Sequence, residues 1–409
     1  MQDSIPRWAG MAVEHALSVR RIVYVAGARQ CGKTTLLNQL SIPGADRRTL
    51  DDLAVQRAAA AAPNEFVARI NSGPILIDEV QKVPDLFSAM KMRVDKNAAP
   101  GQYLITGSSN LQANPNVHES LAGRMKTVRL RSFCEGELLR LKPGFVEGAF
   151  EGDFAKPPEG YDKRRIIDIA FRGGYPESVF LPPEERPDWH RDYLATLLAR
   201  DVRDIQEIRN LPRLRQMAVG LVGYSSKFLN KTEFARANEI SRQTVESYIA
   251  ALEALYLFDR VPAWTSRDYD RATKSPKWFA GDTGTMAALL DWSKDKVFLD
   301  DDKSGKLMET FVYHELAAET DLSGRFRIYH YRDEDKREID FILSDDAGRL
   351  IGIEVKSGSA IRSDDFKHME WFREKFFPDM VCIALYTGDR VLPFGCNRYA
   401  VPFSALFGR

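Results

Sequence analysis

The run Gly27-Ala28-Arg29-Gln30-Cys31-Gly32-Lys33-Thr34-Thr35 matches G-x-x-x-x-G-K-[ST] at every position. It constrains the fold more than any other stretch, because it works only between a buried strand and the opening of a helix. Both flanks are present. Arg21-Ile22-Val23-Tyr24-Val25-Ala26 is apolar and β-branched and reads as a buried parallel strand, and Lys33 to Leu40 reads as a helix start. Gly27 is expected to let the chain turn sharply. Gly32 lets the backbone come close to phosphate oxygens, where a side chain would intrude. Exposed N–H groups and the positive end of the helix then hold the anion. Lys33 is expected to reach the β/γ-phosphates of a nucleotide, and the Thr34 hydroxyl to ligate Mg²⁺. The residues expected around the nucleotide are therefore Gly27, Ala28, Arg29, Gln30, Cys31, Gly32, Lys33, Thr34 and Thr35. Cys31 reads as a small buried thiol.

Composition narrows the setting. A chain of 409 residues suggests about two to four domains. Lys+Arg and Asp+Glu are both 58, so any nucleic-acid binding must come from local patches rather than from overall charge. Cys31, Cys134, Cys382 and Cys396 are far apart with no C-x-x-C, which argues against a disulfide framework or a zinc finger and suits a reducing cytoplasm. No apolar run approaches about 18 residues, so no membrane span is expected, and the first residues lack the apolar core of a signal peptide.

A second chemical signal is Pro74-Ile75-Leu76-Ile77-Asp78-Glu79, a buried strand ending in two carboxylates. In a parallel sheet its end lies at the P-loop edge, so Asp78 can face Mg²⁺ and Glu79 can polarise the attacking water. A third strand follows Pro100-Gly101: Gln102-Tyr103-Leu104-Ile105-Thr106, then Gly107-Ser108-Ser109-Asn110. In the additional-strand class of P-loop ATPases such a strand lies between the P-loop strand and the Asp-Glu strand and ends in a polar sensor of the γ-phosphate. Thr106, Ser108 and Ser109 resemble that sensor. Thr49-Leu50-Asp51-Asp52-Leu53 fits the second strand and Thr127-Val128-Arg129-Leu130 the last. Before the last strand, Arg124 is either an arginine finger, acting in the same or a neighbouring subunit, or part of a basic strip with Lys126, Arg129 and Arg131.

Taken together, Gly-Ala-Arg-Gln-Cys-Gly-Lys-Thr-Thr, Ile-Asp-Glu-Val-Gln-Lys-Val-Pro-Asp-Leu, Thr-Gly-Ser-Ser and Leu-Ala-Gly-Arg resemble prokaryotic AAA-type ATPases with a C-terminal domain of unknown function, the AAA_14/DUF4143 architecture. The resemblance covers nearly the whole chain and implies ATP binding and hydrolysis. AAA-type relatives often form rings, so a homo-oligomer is one implied assembly.

Residues 1–136 are thus read as the ATPase core. Residues 137–210 read as a connecting region, with loops at 140–162 and 181–187, a helix over Ile166–Phe171 and another over Tyr193–Val202. Arg172, in Arg172-Gly173-Gly174-Tyr175-Pro176-Glu177, is either a second nucleotide sensor or a structural ion-pairing arginine.

Residues 211–263 read as a winged helix. Met217–Tyr224 is one helix and Asn230–Ala237 a capped short one; Ser241 is the N-cap of a third through Val245, Tyr248, Ile249, Leu252 and Leu255, and Leu257–Val261 is a β-wing. Arg242, Gln243 and Thr244 would face a DNA groove, unless the module is a protein-binding scaffold.

Residues 264–409 read as a nuclease-like α/β domain. Glu338-Ile339-Asp340-Phe341-Ile342-Leu343 alternates as a half-buried strand; a turn at Asp345-Asp346-Ala347-Gly348 leads to Leu350-Ile351-Gly352-Ile353-Glu354-Val355-Lys356. The pattern D-x(n)-[DE]-x-K places Asp340, Glu354 and Lys356 on one face of a hairpin. Asp340 and Glu354 could hold Mg²⁺ or Mn²⁺, with Glu309 or Glu315 completing the site, and Lys356 could orient or deprotonate water. These motifs resemble the PD-(D/E)XK restriction-endonuclease and Holliday-resolvase superfamily.

The fold expected is α/β: a P-loop NTPase parallel sheet, then a winged-helix domain, then a PD-(D/E)XK nuclease-like domain. The leading functional expectation is an Mg-ATP switch or motor acting on or near DNA, coupled to a nuclease-like C-terminal domain that is a candidate for metal-dependent DNA cleavage. The alternative is a regulatory switch of toxin–antitoxin or defence type whose C-terminal domain binds partners without cutting. A P-loop kinase ranks third, since no acceptor-binding motif supports it.

Overall fold

The computed structural model describes residues 5–68, 73–107, 121–200, 210–267 and 274–409. Ser108 and Ser109, expected beside the γ-phosphate, lie outside the described residues. The chain divides into two compact units. One holds residues 1–132 with 199–208 and 253–256, and the other holds 133–198, 209–252 and 257–409.

The first unit is built on a parallel sheet. Its strands are β1 (Ile22–Ala26), β2 (Asp46–Thr49), β3 (Ile75–Asp78), β4 (Tyr103–Gly107) and β5 (Met125–Arg129), in the order β2-β3-β4-β1-β5. Every residue of β1, β3 and β4 is buried, which explains why these strands read as unbroken apolar runs rather than alternating ones. β4 lies between β1 and β3, as expected. The second strand differs: it spans Asp46–Thr49, and Asp52 instead caps the Leu53–Ala61 helix by accepting from Ala54 N at 2.7 Å. An Asp pair after an apolar residue favours an N-cap over continued sheet.

The second unit contains two sheets. Helices Leu211–Val222, Lys231–Ala237 and Arg242–Ala254 alternate with β6 (Lys227–Phe228) and β7 (Phe258–Val261), and β8 (Lys277–Ala280) follows. The sheet order is β6-β8-β7, antiparallel throughout. The Ser241 cap is present, its Oγ accepting from Thr244 N at 3.0 Å. β8, beyond the boundary expected at residue 263, joins the sheet that β6 and β7 begin.

The larger sheet has the order β13-β14-β12-β11-β10-β9. It comprises β9 (Arg327–Arg332), β10 (Glu338–Ser344), β11 (Leu350–Val355), β12 (Val381–Tyr386), β13 (Leu392–Pro393) and β14 (Arg398–Pro402). β9, β10 and β11 form an antiparallel meander, and β12 and β14 continue it in parallel. The Asp301–Ser323 helix is capped by Asp300, whose Oδ1 accepts from Lys303 N at 3.0 Å, and ends at Gly324 in the left-handed region. The turn at Asp345 is closed by Gly348 at φ 80°.

Candidate functional site

The P-loop follows directly from β1. Gly32 sits at φ 100°, where a side chain would strain the turn. Gly27 has a different reason from the one expected. It is not at positive φ; a Cβ there would lie 2.2 Å from the Leu130 carbonyl oxygen, so the backbone past β5 excludes any side chain. Lys33 is buried at the start of the Lys33–Gln39 helix. Its Nζ donates to the Gly27 and Ala28 carbonyls at 3.0 and 2.8 Å, so the ammonium already lies along the loop. Arg7 braces the same loop from outside, donating to Cys31 O at 2.8 Å and Arg131 O at 2.6 Å. Cys31 is buried, its Sγ 3.4 Å from Leu130 O, which supports the structural reading of that thiol.

At the same sheet edge the two acidic residues separate in role. Thr34 Oγ1 donates to Asp78 Oδ2 at 2.7 Å, and Thr106 Oγ1 donates to Asp78 Oδ1. The Glu79 N–H donates to Thr106 Oγ1 at 3.3 Å, and the Glu79 carboxylate accepts from Gln81 Nε2. Glu79 itself holds a left-handed conformation at φ 59°, an uncommon state for a non-glycine residue that turns its side chain out of the strand register. Thr106 at the end of the middle strand is therefore a bridge between the two carboxylate-bearing positions. A hydroxyl and a carboxylate in contact beside a P-loop are hard oxygen donors suited to Mg²⁺.

Arg124 requires a correction. It immediately precedes β5, whose first residue Met125 pairs with Ile22 at the start of β1, whereas the P-loop follows Ala26 at the other end. Arg124 is therefore at the opposite sheet edge from Lys33 and cannot act as a finger on its own chain's P-loop. Its guanidinium instead makes a two-pronged contact with Asp95, with one arm at 3.0 Å, and donates to Ala122 O at 3.1 Å. Arg172 pairs with the buried Glu135 carboxylate, which supports its structural reading.

In the second unit, the β10–β11 register places Phe341 opposite Ile353, and one step on sets Asp340 opposite Glu354. β10 carries an extra residue against β9 between Ile339 and Ile342, a bulge that re-aims Asp340. Asp340 Oδ2 accepts from Val355 N at 2.9 Å, and Lys356 Nζ donates to Glu354 Oε1 at 3.2 Å. Glu309 comes from the Asp301–Ser323 helix. Glu315, from the same helix, is elsewhere: it accepts from the Glu135 N–H at 2.9 Å and caps the short Glu135–Leu138 helix.

The residue that sequence reasoning missed is Lys277 on β8. It is 1% exposed, and its Nζ lies 2.8 Å from Glu309 Oε2, 3.0 Å from Glu338 Oε1 and 3.1 Å from Asp340 Oδ1. The last two are hydrogen bonds, and the Glu309 contact is an ion pair. Burial opposes the Lys277 charge, but Asp340, Glu309 and Glu338 outweigh it and hold the ammonium well above its ordinary range. Burial, then the Asp340 charge, pushes Glu309 up to about 7 against the pull of Lys277. The same two causes raise Glu354 well above the usual carboxylate range, with Lys356 opposing. Among the described residues, no three His, Cys, Asp or Glu side chains are arranged to hold a metal ion. Of the expected set, Glu309 and Asp340 meet at the Lys277 ammonium together with Glu338, whereas Glu354 is paired with Lys356.

Comparison with known proteins assigns these regions. A family model described as an AAA domain, AAA_14, matches residues 19–139, and one described as a domain of unknown function, DUF4143, matches 304–406. The chain has the AAA_14–DUF4143 architecture. A further domain of unknown function, DUF8612, matches 163–296. The AAA domain thus contains the P-loop, Asp78, Glu79 and Thr106. The DUF4143 match contains Glu309, Asp340, Glu354 and Lys356, while Lys277 reaches them from the DUF8612 match.

Similar curated proteins are the uncharacterized protein Mb2031c of Mycobacterium bovis and the uncharacterized protein Rv2008c of Mycobacterium tuberculosis. Each is 28% identical over 355 residues, covering 86% of this chain and 74% of the relative. Among solved structures, a RuvB variant of Thermotoga maritima is 15% identical, covers 67% of this chain and 95% of its own, and has a TM-score of 0.28. Protein VC1899 of Vibrio cholerae is 11% identical, covers 90% and 88%, and has a TM-score of 0.19. Scores that low support no further conclusion. No helix among the described residues is long and apolar enough to cross a membrane.

Proposed function

We propose that this chain hydrolyses ATP with Mg²⁺ at the P-loop and acts on or near DNA in the cytoplasm. The observation that carries the ATPase reading is the contact chain Thr34–Asp78–Thr106 at the sheet edge where Lys33 lies. Gly27 to Thr35 hold the phosphates, and Lys33 turns from the loop carbonyls to the β/γ-phosphates. Thr34 and Asp78 hold Mg²⁺, which when bound neutralises charge on the phosphate oxygens. Glu79 orients and polarises the attacking water, and Thr106 keeps Asp78 and Glu79 in register with the P-loop.

DNA contact rests on the helix–strand–helix–helix–strand–strand order of residues 211–280, which is that of a winged helix. Arg242, Gln243 and Thr244 open its third helix. Arg242 is exposed and tied to Glu246 at 3.2 Å, a contact that a phosphate could replace. The C-terminal hairpin of Asp340, Glu354 and Lys356 supports a PD-(D/E)XK-like domain.

A second reading is favoured by Lys277 among the carboxylates: a regulatory ATP switch whose C-terminal domain binds partners without cutting.

Phosphate release is measured with and without double- and single-stranded DNA, beside Lys33→Ala, and DNA integrity is followed with Mg²⁺ or Mn²⁺. DNA-stimulated turnover lost in Lys33→Ala is expected. Turnover that survives Lys33→Ala sinks the ATPase reading; cleavage lost in Asp340→Ala sinks the non-cutting one.

A further inference from the structure

The carboxylates of the C-terminal hairpin have the spacing of a divalent-metal site, but their environment does not fit one. Lys277 is the middle-strand residue that faces them. β8 is paired on both sides, Lys277 lying opposite Phe228 of β6 and Val261 of β7, so its backbone is fixed. The residues that follow it, Trp278, Phe279 and Ala280, are buried. A lysine in such a strand is held only where its charge is matched. The match is complete: Glu309, Glu338 and Asp340 each stand within 3.1 Å of Nζ.

Three further carboxylate oxygens of the cluster also have partners. The second oxygen of Asp340 accepts from Val355 N. Glu354 is held by Lys356, which also lies 3.5 Å from Asp365. Arg332 lies 4.0 Å from Glu338. A metal at the centre of this set would need the same oxygens at about 2.0–2.6 Å and would sit against an ammonium. His330, whose Nε2 is 3.1 Å from Ser275 O, adds no acid to the cluster.

We propose that Lys277 is the resident cation of this cluster, so that the DUF4143 carboxylates take up no divalent metal while it is in place, and that removing it opens a site for Mn²⁺ or Mg²⁺. This deepens the non-cutting reading, and it predicts metal uptake rather than activity, so the two can fail separately. Lys277 does the work of a metal in such a fold: it gathers acids from the Asp301–Ser323 helix and from β10 onto one point.

The test is isothermal titration of MnCl₂ into nucleotide-free full-length protein carrying Asp78→Asn, which removes the P-loop metal ligand. The comparison is the same protein with Lys277→Ala. With Lys277 present, no saturable uptake is expected at the cluster and no Mn²⁺-dependent rise in thermal midpoint. With Lys277→Ala, one Mn²⁺ per chain is expected, with a midpoint that rises with Mn²⁺ and a response abolished by adding Asp340→Asn. If the single substitution does not fold, Lys277→Met combined with Glu338→Gln keeps the local charge closer to balance and is read in the same way. Saturable Mn²⁺ uptake by the Lys277-containing protein, lost in Asp340→Asn, overturns the proposal. So does an absence of uptake in every folded Lys277 variant, since the lysine would then not be what excludes the metal.

Discussion

At the residue scale, both carboxylate sites depend on which neighbour holds an oxygen. Thr106 donates to Asp78 and accepts from the Glu79 N–H, so it ties together the acid proposed to hold the metal and the acid proposed to polarise the water. Removing a group that orients a metal ligand typically costs about 10–100-fold in metal affinity or activity. Thr106→Val is therefore expected to lower ATP turnover in that range, with a higher Mg²⁺ requirement, and Thr106→Ser to restore most of it. An unchanged Mg²⁺ dependence in Thr106→Val would sink this role. Lys277 shows the same logic with opposite effect: a divalent ion about 4 Å from an ammonium meets a repulsion of about 8 kcal/mol at an effective dielectric of about 20. Nothing in Pro276-Lys277-Trp278 marks that lysine in the sequence. Its partners arrive from other elements, so only the three-dimensional arrangement exposes it. Asp340, Glu354 and Lys356 were legible because strand alternation and one hairpin fix them locally.

At the scale of elements, the Asp301–Ser323 helix carries acids to three places. Glu309 meets Lys277, Glu315 caps the Glu135–Leu138 helix, and Glu319 accepts from Val146 N at 2.9 Å and Phe145 N at 3.1 Å to cap the Phe145–Phe150 helix. The sequence offered Glu309 or Glu315 without saying which turn faces which partner, and those contacts separate the two. Burial raises Glu319 from 4.5 to about 7, against the backbone N–H groups that favour its ionised form. A raised folded-state pKa means that the unfolded chain releases its proton first. The associated stability is complete below about 4.5 and is lost as pH rises through about 7. The loss is on the order of 3 kcal/mol. Glu319→Gln has no such proton to lose. Urea unfolding at about pH 5 and about pH 8 should show a smaller fall for Glu319→Gln than for the parent; equal falls would remove Glu319 as the cause. The P-loop offers a second element-scale expectation. Gly27→Ala drives a methyl into Leu130 O at 2.2 Å, so the β1 exit must shift and nucleotide affinity should drop by at least about tenfold in a fluorescent-ATP titration, a loss of about 1.4 kcal/mol. Retained affinity would mean that the strand end yields without disturbing the loop.

For the whole molecule, the arrangement of the P-loop sheet was legible in part. An Asp-Glu strand end, a P-loop and a polar strand end between them must share one edge of a parallel sheet, and they do. The pairing of β8 with β7 across the expected boundary at 263 was not legible, because β8 is separated from β7 in sequence and begins with a charged residue. Arg124 stood open between a finger and a basic strip for a related reason: nearness to the last strand says nothing about where the P-loop lies relative to it. Sheet register settles the point, placing Arg124 at the end opposite the P-loop and against Asp95. What remains is a role across a subunit boundary. An arginine already held on both prongs by an acid of its own unit is poorly prepared to reach a neighbour's γ-phosphate, because that reach requires breaking the Asp95 contact. Per-chain ATP turnover of Arg124→Ala should therefore match the parent at every protein concentration. Mixing Arg124→Ala with Lys33→Ala chains should give the average of the two activities. An arginine acting in trans predicts the contrary pattern: turnover in Arg124→Ala falling below the parent as concentration rises and chains associate, with partial recovery on mixing. That pattern would restore the finger and make assembly a requirement for hydrolysis.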